Sequence, residues 1–154
     1  AHADELDRHV VAMESDFGAG RIYSLSAEVG EEAWPRVEAL RARHLARLRV
    51  IPGQQGRAGG PDLWPMKQLG VPVIGLDQDG RDYFDLHHTA DDTLDKIDPD
   101  TLWQNVAAYA TVAWWASETG PRLRAPAAAM EVSDARPRPA VKVESDQDES
   151  APQK

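Results

Sequence analysis

Residues 9–20 read HVVAMESDFGAG, and the class of fold depends on how this stretch is taken. From Val10 to Met13 it is apolar without alternation, the mark of a strand covered on both faces. It ends in Glu14, Ser15 and Asp16, and FGAG follows as a tight turn that glycine permits. Strand ends in open α/β sheets are where sites assemble. Asp16 therefore has two readings, a side chain that caps the glycine turn and a metal ligand.

Working outward, RIYSLSAEV (21–29) alternates weakly and fits a short edge strand or an extended loop. EEAWPRVEALRARHLARL (31–48) predicts a helix. Trp34, Val37, Leu40, His44 or Leu45, and Leu48 recur at three-to-four spacing, and Pro35 is early enough for a first turn. Acids near its start and arginines near its end suit the helix dipole. IPGQQGRAGGPD (51–62) holds four glycines and two prolines and reads as a loop. LWPMKQLG (63–70) reads as a short helix closed by Gly70. VPVIGLD (71–77) is a second strand of buried type, QDGRD a turn, and YFDL (83–86) a short extended piece.

The next helix has clear start signals, with Asp98 as N-cap and Pro99 at the first helical position. It runs to Gly120, with Leu102, Val106, Tyr109 and Ala113 on the face expected against a sheet. The order strand, helix, loop, strand, helix predicts an α/β domain, a mixed and mostly parallel sheet flanked by helices. Two clear strands are few for so apolar a helix, so the domain is expected to be incomplete at its N-terminus. The opening AHADELDRHVV, which starts within an element, points to a processed or truncated chain.

At 154 residues the chain is long enough for one domain with a real core. Residues 1–125 are expected to fold. Residues 126–154 are acidic, proline-rich and without aromatics, and are expected to form a disordered tail. A net charge of −9 argues against nucleic acid or an anionic membrane surface as the main partner. No stretch is apolar for the length of a bilayer span, and no leader of the signal-peptide kind is visible. Without cysteine, a metal site must be built from His, Asp and Glu.

FDLHHTADDTLD (84–95) then stands out, with two adjacent histidines ahead of Asp91, Asp92 and Asp95. In an extended segment neighbours face opposite ways, so one of His87 and His88 is expected to point into a given site. Imidazole nitrogen with carboxylate oxygen is a zinc set, and a further carboxylate can orient the ring. The bland alternative is a solvated loop. Nine aspartates lie between Asp77 and Asp100, and most are expected to be turn formers, caps or solvated charge. DQDGRD fails the EF-hand pattern, GQQGRAGG lacks the residues of a phosphate loop, and there is no GxSxG.

Taken together, MESDFGAG, GGPDLWPMKQLGVPVIGLDQDG and FDLHHTADDTLDKIDP resemble the C-terminal part of the co-catalytic di-zinc exopeptidases. That group includes the bacterial leucyl aminopeptidases and plasma glutamate carboxypeptidase, and the likeness is nearest to the latter branch. It covers about residues 1–118, and its specific parts are the HTxxDT core and the G-x-D…G-V-P segment before it, in that order and spacing. The resemblance implies that Asp16 is a carboxylate ligand of one zinc and His88 the last histidine ligand of the other. It gives His87 no ligand role, makes Asp92 a supporting acid, and places Asp62 near the substrate pocket with loop 53–62 as part of its wall. It further implies two zinc ions sharing a hydroxide, a glutamate base, a peptide or dipeptide substrate, and an extracytoplasmic location.

The departures matter as much. The upstream His-x-Asp and Glu-Glu of such enzymes have no counterpart before Asp16, and Glu31-Glu32 falls after it at a helix start, where the dipole accounts for it. The chain thus holds two of five expected ligands and no base. It is expected to be inactive alone and to need the N-terminal portion of the same enzyme. The alternative is a non-catalytic α/β interaction module on the same scaffold.

Overall fold

The computed structural model describes residues 3–119 together with 123 and 124. The expected tail, 126–154, lies outside the described residues. The sheet is mixed, in the order β2-β1-β3. Strand β1 (Ile22–Glu28) is its centre, parallel to β2 (Ile51–Gln55) and antiparallel to β3 (Val73–Gln78).

Two of its three strands thus come from segments that the sequence reading placed at the margins, and the third, β3, is the strand expected over 71–77. Residues 21–29 are a central strand, neither edge nor loop. Their alternation is weak because Ser24 and Ser26 are buried along with Leu25 and Ala27. Both hydroxyls bond the Asp77 carboxylate, which makes them tolerable inside. Residues 51–55 are a strand where a loop was expected. Their glycine is a packing requirement, since a Cβ on Gly53 would strike the Leu25 carbonyl and the Ser26 hydroxyl.

Residues 9–16, expected as a full strand, join the sheet through a single parallel bridge between Ala12 and Val73. The Ala12 amide donates to the Pro72 carbonyl at 2.8 Å, and the Ile74 amide donates to the Ala12 carbonyl at 3.1 Å. With no strand on its other side among the described residues, the segment lacks a second ladder to regularise it.

The first helix begins as α1 (Trp34–Leu40), continues through a π turn, Arg41–Leu45, and ends in a 3-10 turn, Ala46–Leu48. Short helix α2 (Trp64–Gln68) closes as expected: Gly70 takes a φ of 76°, and the Val71 amide reaches back to the Met66 carbonyl. YFDL is a helical turn, α3 (Tyr83–Leu86), rather than extended, with the His87 amide closing on the Tyr83 carbonyl at 2.7 Å.

Helix α4 (Pro99–Thr119) starts where predicted, and Asp98 Oδ1 accepts the Thr101 amide at 2.7 Å. Its buried face differs from the expected one. Gln104, Asn105, Ala108, Val112 and Ala116 are buried, whereas Val106 is 60% exposed and Trp103 69%. Small residues let the helix approach closely, and the two amides find backbone partners. Gln104 exchanges bonds with both the amide and the carbonyl of Ile22, at 3.0 and 2.8 Å. An apolar count could not reveal a face anchored by amides.

The core lies between one sheet face and these helices, with Leu25, Ile74, Val37, Leu40, Leu45 and Val112 all at most 1% exposed. The other sheet face is polar and open, and it carries the site.

Candidate functional site

Glycine and serine make the open face of the sheet shallow. Ser24, Ser26, Gly75 and Asp77 form the floor of an open cavity of about 1070 Å³. Asp77 takes both serine hydroxyls on one carboxylate oxygen, Ser26 at 2.9 Å and Ser24 closer still. One wall is the glycine loop 57–61, which packs over Gly75 so closely that a Cβ there would sit 3.3 Å from the Gly59 nitrogen. The loop is held from two sides. Gly60 donates its amide to Glu14 Oε2 at 2.8 Å, and Lys67, paired with Glu28 at 2.6 Å, donates to the Ala58 carbonyl at 2.8 Å.

The opposite wall is aromatic. Phe17 stacks on Tyr83 with centroids 4.4 Å apart, Tyr83 on His87 at 4.6 Å, and His87 on His88 at 3.7 Å. Phe84, 75% exposed, meets both Phe17 and Tyr83 edge-on. A side chain at Gly80 would collide with the Phe17 ring, so that glycine makes room for the stack. Loss of solvent raises the Tyr83 hydroxyl above the usual phenol range, and the charges of Asp16 and Asp92 push it the same way.

The residues singled out in the sequence are distributed as follows. Asp16 lines the cavity and is exposed. His87 lines it as well. His88 does not; it is exposed, with a φ of 59°, and reaches the cavity wall through its stack on His87. The alternation used to separate the two histidines does not hold here, because they follow a helical turn and their rings lie nearly parallel, 22° apart. Asp62 is exposed on the 3-10 turn Pro61–Leu63, beyond Gly60 and Pro61, which do line the cavity.

Asp92 is exposed, and its amide bonds the Thr89 carbonyl at 3.3 Å. The Thr89 hydroxyl donates to the Leu86 carbonyl at 2.6 Å and accepts the Asp91 amide, so the HTxxD segment is a bonded turn. Asp91 pairs with Lys96 at 3.0 Å, and Asp95 accepts from Thr93 at 2.6 Å.

Two acids of the cavity were missed as site residues. Glu14 lies two residues before Asp16, hence on the same side of an extended segment. Asp77 ends a buried strand just as Asp16 was read to do. Both signals were legible, and Asp77 was lost among its neighbours in the aspartate run.

The donors present are of the right kind for zinc, carboxylate and imidazole, but too few. Among the described residues no three His, Asp or Glu side chains come together to hold a metal ion. Asp16 and His88 alone cannot complete a four-coordinate site, so this chain by itself does not fit the metal.

A mixed three-stranded sheet with helices on one face and an HTxxD turn beside the open face is an α/β arrangement consistent with the M28 peptidase fold. The model of peptidase family M28 matches residues 3–113, and the chain belongs to that family. The structure is similar to the crystal structure of a peptidase M28 precursor from Shewanella amazonensis SB2B, with a TM-score of 0.69 and 48% identity. The match covers 75% of this chain and 26% of that one, so this chain spans about a quarter of its relative. No curated protein matches the chain. The resemblance read from the sequence, and the α/β class with it, agrees with these matches.

Proposed function

We propose that this chain forms part of a zinc-dependent exopeptidase that hydrolyses terminal peptide bonds, and that it is inactive until further polypeptide completes it. The observation that carries this reading is the cavity, with Asp16 and the His87–His88 stack on its rim and one carboxylate and one imidazole as its assigned donors. In this reading Asp16 and His88 each serve one of two zinc ions when those are bound. Asp92 supports the turn that carries His88, and Asp62 stands behind the glycine wall. The apolar surfaces of Phe17 and Phe84 offer contact to a substrate side chain, and the bonded loop 57–61 gives the opposite side a fixed shape.

The test is a peptidase assay on the 154-residue chain with added zinc. Turnover at the buffer background is expected, and chelator-sensitive turnover well above it would overturn the claim of inactivity. Calorimetry with zinc should likewise show no tight stoichiometric uptake by this chain alone. The same resemblance suggests that the complete enzyme works outside the cytoplasm; activity recovered only in the cytoplasmic fraction of fractionated cells would contradict that.

A further inference from the structure

We propose that the groove between helix α4 and the turns that end the first helix is the docking site of this chain's own acidic segment, residues 141–149. The inference goes beyond the peptidase reading and does not depend on it. Between Asp100 and Glu118, α4 carries no charged residue. Its outward side is apolar, with Leu102, Trp103, Val106 and Trp114 all exposed. A surface helix ordinarily turns polar residues to that side, and a continuous apolar area there marks an interaction surface. Trp103 and Trp114, both more than half exposed, border a cleft of about 330 Å³ whose other wall is His44, Arg47 and Leu48. The π turn Arg41–Leu45 sets His44 edge-on to the Trp114 ring, with centroids 5.8 Å apart.

That second wall is cationic. RARHLARLR (41–49) holds four arginines and a histidine with no acid, in a chain whose net charge is −9. Arg41 is engaged, donating to Glu38 and to the Val50 carbonyl. Arg43 and Arg47 are exposed and have no hydrogen-bond or ion-pair partner among the described residues. The helix dipole accounts for cations near a carbonyl end, but it does not account for tryptophans facing them. Exposed tryptophan beside free arginine is the pairing that most often anchors an interface.

Such a groove fits a ligand with carboxylates along one side and apolar groups along the other. VKVESDQDE (141–149) has that pattern. Glu144, Asp146 and Asp148 recur at every second residue, and Val141 and Val143 take the alternate positions. Bound in extended form, the segment turns its valines to Trp103 and Trp114 and its carboxylates to Arg43 and Arg47. The connection is long enough. The Leu123 carbonyl accepts the Gly30 amide at 3.1 Å, just ahead of the first helix, and the groove lies at the other end of that helix. By helical rise the separation is roughly 20 Å, whereas the chain from Arg124 to Val141 can span about 55 Å. Attachment to the same chain also supplies the effective concentration that a short segment needs. The segment of a second copy is the poorer occupant, because association would bring together two chains of charge −9.

The chain has no cysteine, so Ser150→Cys gives one attachment point for a nitroxide just beyond the segment. In the full chain labelled there, paramagnetic broadening should remove the indole N–H signals of Trp103 and Trp114 and leave that of Trp64 on α2. Trp→Phe substitution at each position assigns the signals, and reduction of the nitroxide should restore the two that are lost. Glu144→Gln, Asp146→Asn and Asp148→Asn together should also restore them, and so should Arg43→Glu with Arg47→Glu. Adding Glu144→Lys, Asp146→Lys and Asp148→Lys to the arginine reversal should remove them again. The three acids lie outside the described fold, so their neutralisation tests the pairing even if the arginine reversal unfolds the domain. Both indole signals kept in the labelled chain would overturn the proposal, as would a loss that survives neutralisation of the acids. Loss of the signals of an unlabelled chain on mixing with a labelled, isotopically silent one would identify a second copy as the donor and overturn it too. Zinc and substrate enter none of these measurements, so the peptidase reading stands or falls separately.

Discussion

Glu14 and Gly60 are locked together: the carboxylate accepts the glycine amide at 2.8 Å, and a Cβ on Gly60 would stand 2.8 Å from its other oxygen. The contact ties the segment that ends at Asp16 to the loop that walls the cavity. Glu14→Ala leaves the Gly60 amide unpaired and should cost about 1–3 kcal/mol. Gly60 has a φ of −88°, which any residue adopts, so Gly60→Ala should be costly only because of Glu14. In a Glu14→Ala background the same change should be nearly neutral, a coupling that urea denaturation of the four variants measures. Simple additivity would show that the two residues do not act as a pair.

The buried amide of Gln104 holds the first residue of β1 to helix α4 through both of its polar atoms. Gln104→Leu keeps the size and removes the bonds, leaving the amide and carbonyl of Ile22 unpaired. A loss of about 2–4 kcal/mol is expected from the two orphaned groups. An equilibrium unfolding curve unchanged by the substitution would refute this account of the helix face.

The helix face also shows where sequence patterns stop being informative. The start of α4 was legible because Asp98 and Pro99 act locally, through bonds within one turn. Gly70 likewise announced its own left-handed closure. By contrast β1 and β2 were obscured, since Ser24, Ser26 and Gly53 suit a strand only once Asp77 and Leu25 are beside them in space. The site followed the same division. Asp16 and the HTxxD turn could be read from short stretches, whereas the cavity floor and the Phe17–Tyr83–His87–His88 stack depend on tertiary contacts.

Asp98 should govern part of the stability in acid. Bonds from the Thr101 amide and then the Thr101 hydroxyl hold its pKa below the ordinary value of 3.8. A carboxylate lowered by folding stabilises the native state above its unfolded pKa, and that contribution disappears as the pH falls through the native value. Asp98→Asn keeps a capping side chain but cannot titrate. The melting temperatures of wild type and Asp98→Asn should therefore differ by a constant amount above the ordinary carboxylate range and converge as the pH falls through the lowered native value. A gap independent of pH would count against the cap as the cause.

Tyr109 should behave in the opposite sense. Burial raises its hydroxyl above the usual phenol value, opposed by a bond from Ser15 and assisted by the charges of Glu14 and Asp77. The hydroxyl donates to the Glu14 carbonyl at 2.7 Å. Stability from a raised acid is complete below the unfolded pKa and is lost as the pH climbs through the native value. Absorbance titration should show Tyr109 ionising above pH 10, and Tyr109→Phe should remove that component and flatten the alkaline loss of stability. Ionisation of all tyrosines together at the ordinary value would disprove the burial argument.

His88 holds a φ of 59°, a conformation that costs a residue with a side chain about 1–2 kcal/mol. Its ring recovers part of this by stacking on His87 at 3.7 Å. His88→Gly releases the backbone strain and loses the stack, so its stability should equal or exceed that of wild type. His88→Ala keeps the strain and loses the stack as well, and should be the least stable of the three. The order of the denaturant midpoints decides the matter: Ala at or above Gly would mean that the left-handed backbone is not under strain. Strain of this kind persists where something other than stability selects the residue. A histidine that glycine could replace without loss of stability has its reason in the imidazole, which is where the proposed zinc role places it.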